Sequence, residues 1–152
     1  MNSDRAQAIF DNRYDAGRQL AGQLEGYKGQ AVTVLAIPNG GVPVGLEVAL
    51  ALEAELDLVI SRKIPLPLTP EAGFGAVADD GTVILNEGVV KKLNLSPHQI
   101  NYQINQVRIE IRKRSRRYRK DRPLMVLSGK TVIITDDGLA SGITMMVTVE
   151  SL

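Results

Sequence analysis

The sequence predicts an α/β fold built on a parallel sheet, and a repeated design carries that expectation. Residues 32–37, Val-Thr-Val-Leu-Ala-Ile, form a short apolar run, then a Pro-Asn-Gly-Gly turn, then a helix opening at Val42, Pro43 and Val44. Residues 131–135 form a second β-branched run, followed by a turn at 136–144 and by Met145, Met146 and Val147 as the start of another helix. Runs this short suit buried strands better than free-standing helices. Two strand–glycine turn–helix units place both turns at one carboxyl edge of a common sheet.

The elements follow in order. Apolar residues at Ile9, Phe10, Ala16, Leu20 and Leu24 predict a helix over 3–24 with Ser3 as its cap. Gly17 in its middle is unfavourable by about 1 kcal/mol against alanine, which implies a close neighbour there. Arg13 and Asp15 face either a ligand or only water, and the solvated reading is preferred for each. The helix after the first turn is expected to reach about residue 55, with Val44, Val48, Leu52 and Leu56 on one face. Residues 56–61 read as the second strand, with Arg62 and Lys63 at its carboxyl end. Residues 64–70 carry three prolines and are expected to be irregular. Residues 74–78 and 82–85 read as a hairpin about an Asp79-Asp80-Gly81 turn. Ser96 and Pro97 cap a helix whose stripe is Ile100, Ile104, Val107 and Ile111. His98 falls in its first turn and reads as a surface residue. Its end, 112–120, is a dense basic run, favoured there by the helix dipole.

Composition narrows the function. The chain has 152 residues, enough for a single domain, with 44% hydrophobic and 23% charged residues. A net charge of +1 argues against a general nucleic-acid or membrane binder. There is no cysteine and one histidine, so disulfides, thiolate metal sites and multi-histidine sites are excluded. No apolar run approaches the length of a membrane span, and the N-terminus does not read as a signal peptide. A soluble cytoplasmic protein is the expectation.

The turn at 136–144 carries the chemistry. Asp136 and Asp137 precede a loop of small residues, Gly138, Leu139, Ala140, Ser141, Gly142, Ile143 and Thr144. Such a loop ahead of a helix aims free backbone N–H groups, and the positive end of the dipole, at one spot. That is a nest for phosphate. Two carboxylates beside it are an odd choice for a plain anion and make sense if the ligand also offers hydroxyls or shares a divalent cation, as a sugar phosphate does. Other phosphate loops fit worse. Ile143 stands where a Walker A loop needs Lys, and Gly73-Phe-Gly75-Ala-Val-Ala78 lacks the strand-and-helix setting of a dinucleotide fingerprint.

Val132-Ile-Ile-Thr-Asp-Asp-Gly-Leu-Ala-Ser-Gly-Ile-Thr144 resembles the signature of type I phosphoribosyltransferases, which bind 5-phosphoribosyl-1-pyrophosphate (PRPP). Ser141 replaces the usual threonine and keeps the hydroxyl. Phe10-Asp-Asn-Arg13-Tyr-Asp15-Ala-Gly17-Arg18-Gln-Leu20 is similar to the opening helix of a group of small bacterial and archaeal members.

The resemblance implies a three-layer, Rossmann-like parallel sheet with flanking helices and an inserted hairpin flap at 64–95. It also implies that the family's C-terminal strands are missing here, as a fragment or as a shortened form that dimerises. By residue, it implies Asp136 and Asp137 on the ribose hydroxyls, with any metal contact made indirectly through those hydroxyls or water. The loop 138–144 would hold the 5′-phosphate. Asn39, Gly40 and Gly41 would hold the pyrophosphate on a turn where one peptide is often strained or cis, assisted by Arg62 and Lys63. The implied activity is that of a pentosyltransferase with Mg²⁺: PRPP gives its phosphoribosyl group to a nitrogen, usually of a nucleobase. The alternative is a PRPP- or nucleotide-sensing regulator, extending to RNA through 112–120 and Tyr118.

Overall fold

The structure, a computed structural model, describes residues 9–120 and 122–152. They divide into two compact units. The first holds the described residues up to Leu58 together with Leu127–Asp137; the second holds Val59–Val126 and Gly138–Leu152.

The first unit is a three-stranded parallel sheet in the order β2-β1-β6, with β1 Val32–Ala36, β2 Glu55–Leu58 and β6 Thr131–Thr135. Val34 lies opposite Leu56 on one side and Ile133 on the other. All of β1 is buried, as the central strand of a parallel sheet should be. Helix α2, Gly41–Leu52, packs Val48, Ala49 and Leu52 on Val32 and Val34. Helix α1, Arg13–Gln23, adds Ala21 to that core. Gly17 has the predicted close neighbour: a Cβ there would lie 2.7 Å from the Val44 carbonyl oxygen.

Three boundaries differ from expectation. The start of α1 is Arg13, because Asn12 caps it by accepting a 2.9 Å bond from the Asp15 N–H; Ser3 lies outside the described residues. Helix α2 stops at Leu52, since Glu53 turns left-handed at φ 54° and Glu55 already belongs to β2. Strand β2 ends at Leu58, and residues 61 onward belong to a different sheet.

That second sheet is antiparallel, in the order β3-β4-β5, with β3 Ser61–Leu66, β4 Thr69–Ala78 and β5 Val83–Leu85. The stretch 64–70, expected to be irregular, is therefore mostly strand. Its prolines fall at tolerant places: Pro65 on edge strand β3 where the ladder register shifts, Pro67 in the connecting turn, and Pro70 near the start of β4. The β4–β5 hairpin is as predicted. Asp80 ties its turn by accepting from the Thr82 N–H at 2.8 Å and the Thr82 hydroxyl at 2.7 Å, and Gly81 takes φ 98°.

Short helix α3, Glu87–Lys92, precedes α4, Pro97–Arg119, which begins in a Ser96–Gln99 capping box. Ile104, Val107 and Ile111 bury against Ile60, Ile64, Phe74 and Val77. Helix α5, Ile143–Glu150, packs Val147 on Ala76 and Ala78. His98 is exposed, as expected. Most of the basic run is exposed too, and Arg116, Arg117 and Arg119 form the last turn of α4. Among the described residues no helix is long and apolar enough to cross a membrane.

Candidate functional site

The carboxyl ends of β1 and β6 meet within the first unit. The Ile37 N–H donates to the Thr135 carbonyl at 2.9 Å, extending the ladder to the point where both strands turn. Three glycines, Gly40 in the β1–α2 turn and Gly41 and Gly45 in α2, make the approach possible. A Cβ on Gly40 would fall 2.1 Å from the Asp137 carboxyl carbon, one on Gly41 2.3 Å from the Thr135 carbonyl oxygen, and one on Gly45 2.5 Å from the Thr135 hydroxyl. No side chain fits at these positions, so backbone and carboxylate share the space. The Thr135 hydroxyl donates to the Gly41 carbonyl at 3.1 Å, fastening strand to helix. The Pro38–Asn39 peptide is cis. The Gly41 N–H is engaged by the Ile37 carbonyl at 2.9 Å. Gly40, one residue earlier, keeps an N–H without an acceptor among the described residues.

The two acids have separate environments. Asp136 is half-buried, and its Oδ1 accepts from the Asp137 N–H at 2.8 Å. Burial pushes its carboxyl above the ordinary value, while the Asp137 N–H works against that shift. Asp137 is exposed and receives Arg13, whose Nε and Nη2 stand 2.8 and 2.6 Å from Oδ2. That guanidinium holds the Asp137 carboxyl below its ordinary value. Neighbouring acids pushed in opposite directions are able to take different roles toward one ligand.

Arg13 is the site residue for which sequence reasoning preferred solvent over a ligand. Its partner lies 124 residues away, and nothing local announces it. The available signal was indirect: a cation at the first position of a helix opposes the dipole. Asp15, read the same way, serves its own helix, accepting from the Gln19 side chain at 2.9 Å.

The loop 138–144 belongs to the second unit and keeps its amides open. From Gly138 to Gly142 no backbone N–H meets a protein acceptor among the described residues. Leu139, Ala140 and Ser141 are exposed, and Gly142 enters α5 at φ 74°. The Ser141 hydroxyl accepts from the Ile143 N–H at 3.5 Å, and Thr144 lies in the first turn of α5. Arg62 and Lys63 are not at the end of a parallel strand. They lie inside β3, where Arg62 pairs with Glu110 of α4, and the Lys63 stem runs over Gly73. The cause is the early end of β2, which moves 61–66 into the antiparallel sheet.

Residues 6–152 match the family described as "Phosphoribosyl transferase domain". The chain belongs to the phosphoribosyltransferase family. Two curated relatives of Mycobacterium tuberculosis, from strains CDC 1551 and H37Rv, each carry the name "Putative phosphoribosyl transferase". Both are 43% identical over 136 residues, covering 90% of this chain. The chain spans only 31% of their length. The crystal structure of TT1426 from Thermus thermophilus is similar at TM-score 0.72 and 36% identity, over 93% of this chain and 67% of that one.

The α/β fold described above is thus a phosphoribosyltransferase fold. In this phosphoribosyltransferase domain the Gly40–Gly41 turn and the Asp136–Asp137 pair, 96 residues apart in sequence (136 minus 40), are neighbours in one unit.

Proposed function

We propose that the domain binds PRPP and transfers its phosphoribosyl group to a ring nitrogen of a nucleobase-like acceptor, releasing pyrophosphate. The supporting observation is the contact of Gly40 with the Asp137 carboxylate, since it sets two kinds of ligand group side by side. Asp136 and Asp137 accept from the ribose hydroxyls. The Asn39–Gly40–Gly41 turn faces the pyrophosphate, with the Gly40 N–H lacking an acceptor among the described residues, and the loop 138–144, through its open amides at 138–142, takes the 5′-phosphate. The hairpin within 64–95 serves as the flap that keeps water from the reacting carbon. A homodimer is the proposed assembly.

In the transfer, the acceptor nitrogen's lone pair forms the bond to ribose C1 as the C1–O bond to pyrophosphate breaks. The bonding pair leaves with pyrophosphate, and the nitrogen's proton goes to solvent. Positive charge on the ribose and negative charge on the leaving group need positioning and dipoles rather than a covalent nucleophile.

Magnesium fits this donor set. Among the described residues no three His, Cys, Asp or Glu side chains gather as a protein-only cage. Mg²⁺ usually keeps several waters and is shared between carboxylates and substrate oxygens, and Asp136 and Asp137 would meet it indirectly, through the ribose hydroxyls or water. When bound it neutralises pyrophosphate oxygens.

The test is pyrophosphate release from PRPP and magnesium against a panel of purines and pyrimidines. At least one base should give release above the no-acceptor rate, with the matching nucleoside monophosphate as product. PRPP binding without release for any base would overturn the transfer step, and absence of PRPP binding would overturn the whole reading.

A further inference from the structure

Arg13 stands where a helix disfavours it. It is the first residue of α1, and the unpaired amides there repel a cation. Gly17, one turn on, lies against the Val44 carbonyl and fixes the height of α1 on α2. The guanidinium is thereby delivered to Asp137, with two donors on the single oxygen Oδ2. Its Nη1 has no partner among the described residues. The Arg13 side chain is 59% exposed against 33% for Asp137, so the guanidinium is the more solvent-accessible member of the pair. Asp137 itself lies on Gly40, so this cation is held beside the turn assigned to pyrophosphate.

We propose that Arg13, paired with Asp137 beside the Gly40 turn, is a pyrophosphate-binding residue. When the ribose hydroxyls engage Asp137, the guanidinium turns to the pyrophosphate oxygens beside Gly40. The assignment rests on the PRPP reading above. Its physics is simple. A pair of bare carboxylates repels a polyanion, and Arg13 removes part of that repulsion before binding. Its planar fork then matches two phosphate oxygens. Negative charge grows on the leaving group during transfer, so a cation there favours the transition state.

The experiment titrates PRPP and, separately, ribose 5-phosphate into wild type, Arg13→Ala and Arg13→Lys, with magnesium, by calorimetry. Ribose 5-phosphate keeps the ribose hydroxyls and the 5′-phosphate but lacks the pyrophosphate. Arg13→Ala should weaken PRPP by about tenfold or more while ribose 5-phosphate changes by about twofold at most. Arg13→Lys, which keeps the charge and loses the fork, should fall between. Equal weakening of both ligands would overturn the assignment, because Arg13 would then act only by placing Asp137. So would an unchanged PRPP affinity in a wild type that binds it. A wild type that binds neither ligand removes the PRPP reading and this one together. Should Arg13→Ala fail to fold, Arg13→Lys retains a cation for Asp137 and gives the same two-ligand comparison.

Discussion

Replacing both acids, Asp136→Asn with Asp137→Asn, is expected to weaken PRPP binding by about 100-fold or more. Each carboxylate that accepts from a ribose hydroxyl makes a hydrogen bond to a charged group, roughly 1.5–3 kcal/mol, so two such bonds amount to about 3–6 kcal/mol. Asparagine keeps the shape and one acceptor oxygen but loses the charge. The fold should tolerate the change. Asp137 is exposed and its tie to Arg13 is a partly solvated ion pair, of a kind that contributes roughly 0.2–1 kcal/mol. The asparagine at 136 still carries an oxygen for the 137 N–H, which Asp136 accepts at 2.8 Å. Calorimetry on a variant that melts near wild type separates the effects. An unchanged dissociation constant would remove the acids from the site.

The second large effect is on stability. Gly41→Ala places a Cβ 2.3 Å from the Thr135 carbonyl oxygen and 2.9 Å from the Asp136 Cα. Both are backbone atoms at the end of β6, so no side chain can swing aside. Relief requires α2 to move off the sheet, opening the Val48–Val34 core beneath it. Overpacking of this kind is unfavourable by about 3 kcal/mol, roughly a 6–12 °C drop in melting temperature for a chain of this size. Gly26→Ala is the control, since a Cβ there meets nothing within 4 Å. It should stay within about 0.5 kcal/mol of wild type. Equal melting of Gly41→Ala and wild type would mean that the two strand ends are not as close as described.

Much of this arrangement was legible in the residues, for reasons that are local. The run 131–135 and the small-residue loop after it declare a strand, a turn and a helix start within fourteen residues of one another (131 to 144). Ser96, Pro97 and Gln99 announce α4 by capping chemistry, and its stripe falls on the face that Ile104, Val107 and Ile111 bury. Asp80 and Gly81 announce a turn, and both serve it. What escaped depends on partners distant in sequence. Residues 56–61 are one apolar run to the eye, yet β2 ends at Leu58 because β1 offers it four paired positions, Thr33 to Ala36, and no more. The prolines of 64–70 argue against a strand only if the strand is central, and edge position is a property of the assembled sheet. Arg13 escaped for the same reason.

If acids and turn together grip one activated pentose, a crystal structure with magnesium and PRPP will show it. The ribose 2′- and 3′-hydroxyls should lie within hydrogen-bonding reach of Asp136 and Asp137, with the pyrophosphate over Gly40. PRPP seated away from both acids would contradict it.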